Sequence, residues 1–389
     1  MNRKTGALGA FGVLLLAALP ALAEPHRWQL NMTRGVSETS RAVYELHMLI
    51  FLVCVAIGVV VFGAMAYAMF KFRKSKGAVA ATWSHNTKAE MVWTVVPILI
   101  LIVMAFPATK VLVNMASSGD AGLTVKVTGY QWKWRYELVE YEKQPLNVNF
   151  MSMLSFDDNK ARQLNSGVDP ASVPNYLLNV DNPLVLPVDT KVRFLFTADD
   201  VIHAWWVPDL GWKQDAIPGF INDAWTKVSE PGTYRGQCAE LCGKDHGFMP
   251  IVVEVVTPEK YASWVTEQKK KMAAAAPDPS KQWTLDELKA QGEKVYAANC
   301  VACHQPTGMG VPGTFPALSG SKVVNGPKDG QINVVLNGVA KDGKPTLMAA
   351  FGKQLSDADL AAVITFTRNN WSNKTGDMVT PAEIKAAKK

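Results

Sequence analysis

Five cysteines in 389 residues are too few for a disulfide scaffold, so their spacing carries more information than their number. Charge is sparse as well: 19% of residues are charged against 48% hydrophobic, a balance that excludes a disordered or collagen-like protein. Two stretches, Met48–Phe70 and Met91–Thr109, carry no charge, and neither holds a histidine. Acidic residues are missing from residues 71–89, which lie between them. A chain of this length is expected to form two or three domains.

Both uncharged runs are long enough to cross a bilayer core of ~30 Å. The loop between them carries Lys71, Arg73, Lys74, Lys76 and Lys88, which by the positive-inside rule places it in the cytoplasm and everything after about residue 116 outside. The expectation is a transmembrane hairpin over residues 24–116, with helices at about 43–70 and 90–115. Pro97 and Pro107 are predicted to bend the second helix. Glu90 stands at its cytoplasmic mouth, either as a solvated helix end or as a proton-path contact with a partner helix. Ahead of the hairpin, Arg3 and Lys4, an apolar stretch and an Ala-Leu-Ala exit read as a signal peptide over residues 1–23, with a third membrane helix as the alternative.

From about Gly122 short alternating runs rich in Val, Thr, Tyr and Trp predict an antiparallel β-sandwich, here bounded as 117–257. It contains His203, expected in a loop after a strand, and the cluster CAELCGKDHGFM with Cys238, Cys242, His246 and Met249. Two thiols, two imidazoles and a thioether form a soft set suited to copper. One cysteine would hold one copper, whereas two can bridge a pair, each metal capped by one histidine. Zinc on the same cysteines and histidines, or a Cys238–Cys242 disulfide, are the competing readings.

Residues 258–282 read as a helix and a Pro/Ala linker, followed by a helical domain at 283–375 and a tail at 376–389. An amphipathic pattern runs into Cys300-Val-Ala-Cys303-His304, the spacing of a c-type haem attachment site with His304 as an iron ligand. Met309, Met348 and Met378 compete for the opposite haem face. Met348 is favoured, because Met309 is only five residues from His304 and Met378 lies past the last predicted helix. Residues 197–256 sum to a net charge of −5 and residues 281–389 to +4, which favours docking of the two units on each other.

The copper-loop sequence, the segment VIHAWWVPDLGWKQDAIPG, the run YQWKWRY and the paired helices together resemble subunit II of haem–copper cytochrome c oxidase over about residues 30–270. The resemblance implies a cupredoxin-like sandwich holding a dinuclear CuA centre. Cys238 and Cys242 would bridge, His203 and His246 would cap, Met249 would be a weak ligand and Glu240 would bind through its carbonyl. It further implies a magnesium ion at the subunit I contact held by the Glu240 carboxylate, an electron-input role for Trp132 and a proton-path role for Glu90. Phe220 departs from the basic residue often found there. The C-terminal unit resembles a class I cytochrome c with haem c on Cys300 and Cys303 and Met348 on the iron. The implied protein is multidomain, anchored in a bacterial inner membrane with its domains on the periplasmic face. It would partner subunits I and III, a cytochrome c or other donor and the lipid bilayer, and bind no nucleic acid. Oxygen reduction would occur on subunit I. The alternative is the electron-input subunit of a nitric oxide reductase.

Overall fold

The computed structural model describes residues 29–164, 166–275, 281–341, 344–345 and 348–388. The expected signal peptide and the core of the linker lie outside the described residues.

Helix α1 (Glu38–Lys71) begins earlier than its apolar run because Ser37 caps it: Ser37 Oγ accepts from Ser40 N–H, and the Ser40 hydroxyl accepts in return from Ser37 N–H. Helix α2 (Thr87–Ala116) is capped by Asn86 and contains both prolines. These are the two described helices long and apolar enough to cross a membrane, and their apolar side chains face outward. His47 falls on α1, one residue before the uncharged run, and bonds Asn31. The hairpin is tied to the soluble region. Ser37 Oγ donates to the Leu210 carbonyl at 2.9 Å and Trp225 Nε1 to the Asn114 carbonyl at 2.9 Å. Gly211, at φ +84°, permits the first contact, since a Cβ there would lie 2.4 Å from the Ser40 Cα.

Ten strands follow: β1 (Leu123–Tyr130), β2 (Lys133–Tyr141), β3 (Gln144–Ser152), β4 (Leu184–Pro187), β5 (Lys191–Ala198), β6 (His203–Val207), β7 (Trp212–Ala216), β8 (Asn222–Lys227), β9 (Gly232–Cys238) and β10 (Pro250–Val256). They form two five-stranded sheets, ordered β3-β2-β1-β5-β8 and β4-β10-β9-β6-β7; each is mixed and not purely antiparallel as expected, because β1 pairs parallel with β5 and β4 with β10. Alternation buries one face of each; β5 buries Val192, Phe194, Phe196 and Ala198 in strict period two. Phe194, Phe196, Trp205 and Trp212 meet between the sheets with ring centroids 5.3–5.8 Å apart. Between β3 and β4 lies the short helix α3 (Phe156–Ala161), and after β10 helix α4 (Pro258–Ala275) buries Tyr261 and Val265 against the sandwich.

The C-terminal unit has its own core. Its helices are α5 (Leu285–Asn299), α6 (Val301–His304), α7 (Lys322–Asn325), α8 (Lys328–Asn337), α9 (Asp357–Arg368) and α10 (Pro381–Ala387). A Thr284/Glu287 capping box starts α5, and α9 is buried along its length from Leu360. The segment read as a tail is part of this core: α10 has its own Thr380/Glu383 capping box, and both Val379 and Ile384 are fully buried. The crossing of α5 on α9 depends on Gly292, where a Cβ would lie 2.1 Å from the Ala362 carbonyl oxygen. Gly292→Ala should therefore destabilise this unit by about 1–3 kcal/mol through overpacking, read as a lowered melting temperature of the helical domain. An unchanged midpoint would show that the helices can separate without loss.

Candidate metal centres

The sandwich brings the first ligand set together through strand pairing. His203 opens β6 and is not in the preceding loop, because it already pairs with Ala216 of β7, while Trp205 pairs with Cys238 across β6 and β9. Cys238 ends β9, and residues 239–249 form the loop joining β9 to β10, whose antiparallel register sets Pro250 beside Gln237. Cys238 Sγ lies 3.8 Å from Cys242 Sγ, 4.0 Å from His203 Nδ1 and 3.4 Å from the Glu240 carbonyl oxygen. Cys242 Sγ lies 3.5 Å from His246 Nδ1 and 3.5 Å from Met249 Sδ. Donors bound at ~2.0–2.3 Å around a tetrahedral metal stand just this far apart, so the set fits a metal as it is built. Both cysteines are free thiols, which removes the disulfide reading for this structure. Soft sulfur with imidazole suits copper, and the thioether sulfur of Met249 is a ligand that a structural zinc site seldom uses.

The surrounding groups orient these candidate ligands. His203 is fully buried, and its Nε2 donates to Asp200 Oδ1 at 2.9 Å, which turns Nδ1 toward Cys238. Burial opposes charge on His203, yet the Asp200 carboxylate and the Cys238 thiol together raise its pKa above the usual histidine value. The two thiols titrate as a pair: the Cys242 thiol holds the Cys238 sulfur in its thiolate form, and that anion raises Cys242. Asp200 also accepts from the Gln131 backbone N–H at 2.8 Å. Asp200→Ala should lower copper affinity ~10- to 100-fold, measured by competition with a chelator. Unchanged affinity would mean that packing alone orients His203.

The second centre is a cavity of about 1300 Å³ lined by Cys300, Cys303, His304 and Met348. His304 is buried and its Nδ1 donates to the Pro316 carbonyl at 2.9 Å, which leaves Nε2 as the lone-pair nitrogen. Burial lowers its pKa, and a neutral imidazole is what an iron requires. Of the three candidate methionines, Met348 lines this cavity; Met309 is 59% exposed, and Met378 packs in the helical core. Cavity, thiols and imidazole fit a covalently held haem.

Trp132 lies between the centres. It lines the cavity, and its Nε1 donates to the Cys242 carbonyl at 3.2 Å. Lys133 Nζ reaches Asn299 Oδ1 at 2.7 Å, and Lys244 Nζ lies 5.1 Å from the Phe315 ring centroid. These contacts differ from the acid-to-base docking that the net charges suggested, because here lysines of the sandwich meet amide and aromatic groups of the helical unit. Glu240 exposes its side chain, and Glu90 accepts from His85 Nδ1 at 2.8 Å in the first turn of α2. Phe220 and Ile221 are exposed on the β7–β8 loop. Sequence reasoning missed Asp200, Lys133, Arg162 and Asp245. An acid three residues before a histidine ligand was the signal available for Asp200.

Fold and sites together define a membrane-anchored cupredoxin-type protein joined to a c-type cytochrome domain. The profile described as "Cytochrome C oxidase subunit II, periplasmic domain" matches residues 123–256, and the one described as "Cytochrome C oxidase subunit II, transmembrane domain" matches residues 25–111. A third, "Cytochrome C oxidase, cbb3-type, subunit III", matches residues 287–366. The chain is 38% identical over 259 residues to a probable cytochrome c oxidase subunit 2 of Rickettsia bellii, covering 67% of this chain and 91% of the relative. It is likewise 38% identical over 247 residues to the cytochrome c oxidase subunit 2 of Mycosarcoma maydis, covering 63% of this chain and 92% of the relative. A crystal structure of the periplasmic domain of subunit II of cytochrome oxidase from Bradyrhizobium japonicum is 41% identical, with a TM-score of 0.33, over 40% of this chain and 98% of that one. The chain belongs to the cytochrome c oxidase subunit II family and carries a cytochrome c domain, a pairing that implies copper and haem. It is thus a component of an oxidoreductase complex.

Proposed function

We propose that this chain is the electron-input subunit of a proton-pumping terminal oxidase of aerobic respiration, carrying electrons from a donor through its tethered haem c and a dinuclear copper centre to subunit I. The haem and the copper pair supply one-electron carriers; the protein holds, orients and shields them. Cys238, Cys242, His203, His246, Met249 and the Glu240 carbonyl would hold the copper pair, and His304 with Met348 would hold the haem iron. His203, Cys238, Cys242 and Met249 are buried and would keep water away from the bound metals. The exposed Glu240 carboxylate would hold the magnesium ion at the subunit I contact, and Glu90 would lie at a proton path into that subunit. Subunit III completes the partners, and the domains stand on the periplasmic face of the inner membrane. The domains are the hairpin, the sandwich to residue 257 and the haem unit from residue 283.

The observation that carries this reading is the convergence of Cys238, Cys242, His203, His246 and Met249 within ligand spacing, one tryptophan away from the haem cavity. Metal analysis and EPR on the purified membrane complex provide the test. Paired coppers sharing one unpaired electron, one covalent haem and oxygen consumption are expected. A lone copper or a zinc would overturn the relay, and nitric oxide turnover without oxygen turnover would move it to a nitric oxide reductase.

A further inference from the structure

We propose that Lys133 is the positioning residue that seats the haem-binding unit over Trp132, so that the tethered haem, and no external protein, delivers electrons to the copper loop. The inference rests on the relay reading above and names the contact that makes it work. Lys133 is the first residue of β2, directly after Trp132, and is 4% exposed. Its Nζ donates to Asn299 Oδ1 at 2.7 Å and lies 5.4 Å from the Phe351 ring centroid. Asn299 is the last residue of α5 and immediately precedes Cys300. It is pre-aimed, because its Nδ2 donates to the Val295 carbonyl at 3.0 Å and leaves Oδ1 facing the lysine. One side chain thus joins the residue after Trp132 to the residue before the haem-attachment cysteine.

An ammonium is expensive to bury, and burial pulls the Lys133 pKa down to about 8. A buried amine with a matched acceptor and an aromatic face is therefore specific to the seated arrangement, since in the unseated one the same group is hydrated. The seat covers the indole: Gln131, Trp132 and Phe248 of the sandwich line the same cavity as Cys300, Cys303 and His304. While the unit is seated Trp132 faces the haem cavity and is only partly exposed, so an external donor is expected to reduce the haem and not the copper loop. In the transfer itself one electron leaves the haem iron, oxidising it by one, and enters the copper pair, reducing it by one; no bond is made or broken.

The test uses the assembled complex with the full chain. Lys133→Met keeps the packing stem and removes the donor, and Asn299→Ala removes the acceptor from the other side. A photoreductant places one electron on the haem, the copper absorbance is followed, and hydrogen exchange is read across residues 131–134. Both variants should slow haem-to-copper transfer by about 10- to 100-fold, the change that loss of a charged hydrogen bond makes in a two-position equilibrium. Both should also speed exchange at residues 131–134 and let a soluble cytochrome reduce the copper directly, with copper and haem contents and potentials unchanged. The pair Lys133→Glu and Asn299→Lys should restore the rate. Variants that keep the parent rate and the parent exchange overturn the seating role. A parent complex that never passes the electron to copper overturns the relay instead, while exchange that responds to Lys133→Met would still establish the seat.

Discussion

Cys238→Ser is expected to abolish the dinuclear centre and leave at most a single copper per chain. Cys238 ends β9, and its sulfur lies within 4.0 Å of His203 Nδ1, Cys242 Sγ and the Glu240 carbonyl oxygen. A serine hydroxyl is a hard, neutral ligand that cannot bridge two soft metals as a thiolate does. What remains is Cys242 with His246 Nδ1 and Met249 Sδ at 3.5 Å each, and His203 across the site, which is the donor list of a mononuclear electron-transfer copper. The unpaired electron should then be confined to one metal, and the EPR hyperfine pattern should change from one spread over two nuclei to one from a single nucleus. The sandwich itself should survive, because serine is smaller than cysteine and the surrounding strands keep their ladder. Copper content and an EPR spectrum identical to those of the parent would show that Cys238 is not a ligand.

The proposed ligands were legible as a candidate set because their chemistry is local. Cys238, Cys242, His246 and Met249 fall within twelve residues, and a single hairpin loop can present them together whatever the rest of the fold does. Short runs rich in β-branched and aromatic residues likewise marked β1, β2, β4, β5 and β8 to β10, and uncharged runs marked the two long helices. Short β6 was less visible. Its alternation rests on Trp205 inside and Trp206 39% exposed, so His203 read as loop although it is the first residue of a strand. The C-terminal segment is hard to read for a similar reason: Met378, Val379 and Ile384 are its only large apolar residues, and contact with α8 and α9 makes them part of the core. Pairings across long sequence gaps, such as Lys133 with Asn299, leave no periodic trace at all.

The segment between β3 and β4 shows most sharply what patterning could not supply, and it carries the second large prediction. Arg162 follows α3 and reaches over to the copper loop, where its NH2 lies 3.1 Å from Asp245 Oδ2 and its NH1 3.5 Å from Oδ1. Its guanidinium also stacks 4.2 Å from the Phe248 ring centroid, and its Nε donates to Asn159 at 2.8 Å. Asp245 and Phe248 immediately precede His246 and Met249, so one planar fork fixes the backbone beside two ligands. Both partners are largely buried, at 16% and 7% exposure, so removing one strands the other without solvent to compensate it. Arg162→Ala should therefore cost about 3–5 kcal/mol, the range found when a buried pair is broken. If the loop bears that cost locally, copper affinity should fall by at least ~100-fold, since each ~1.4 kcal/mol is a factor of ten. Arg162→Lys should fall between parent and alanine, because an ammonium cannot grip both carboxylate oxygens or stack as a plane. Arg162→Met with Asp245→Asn should recover much of the loss, as no charge is then left buried alone. Copper competition titrations and thermal unfolding of the same variants separate affinity from fold. If Arg162→Ala binds copper and melts as the parent does, the pair is a solvent-screened contact and the loop is held by its strands alone.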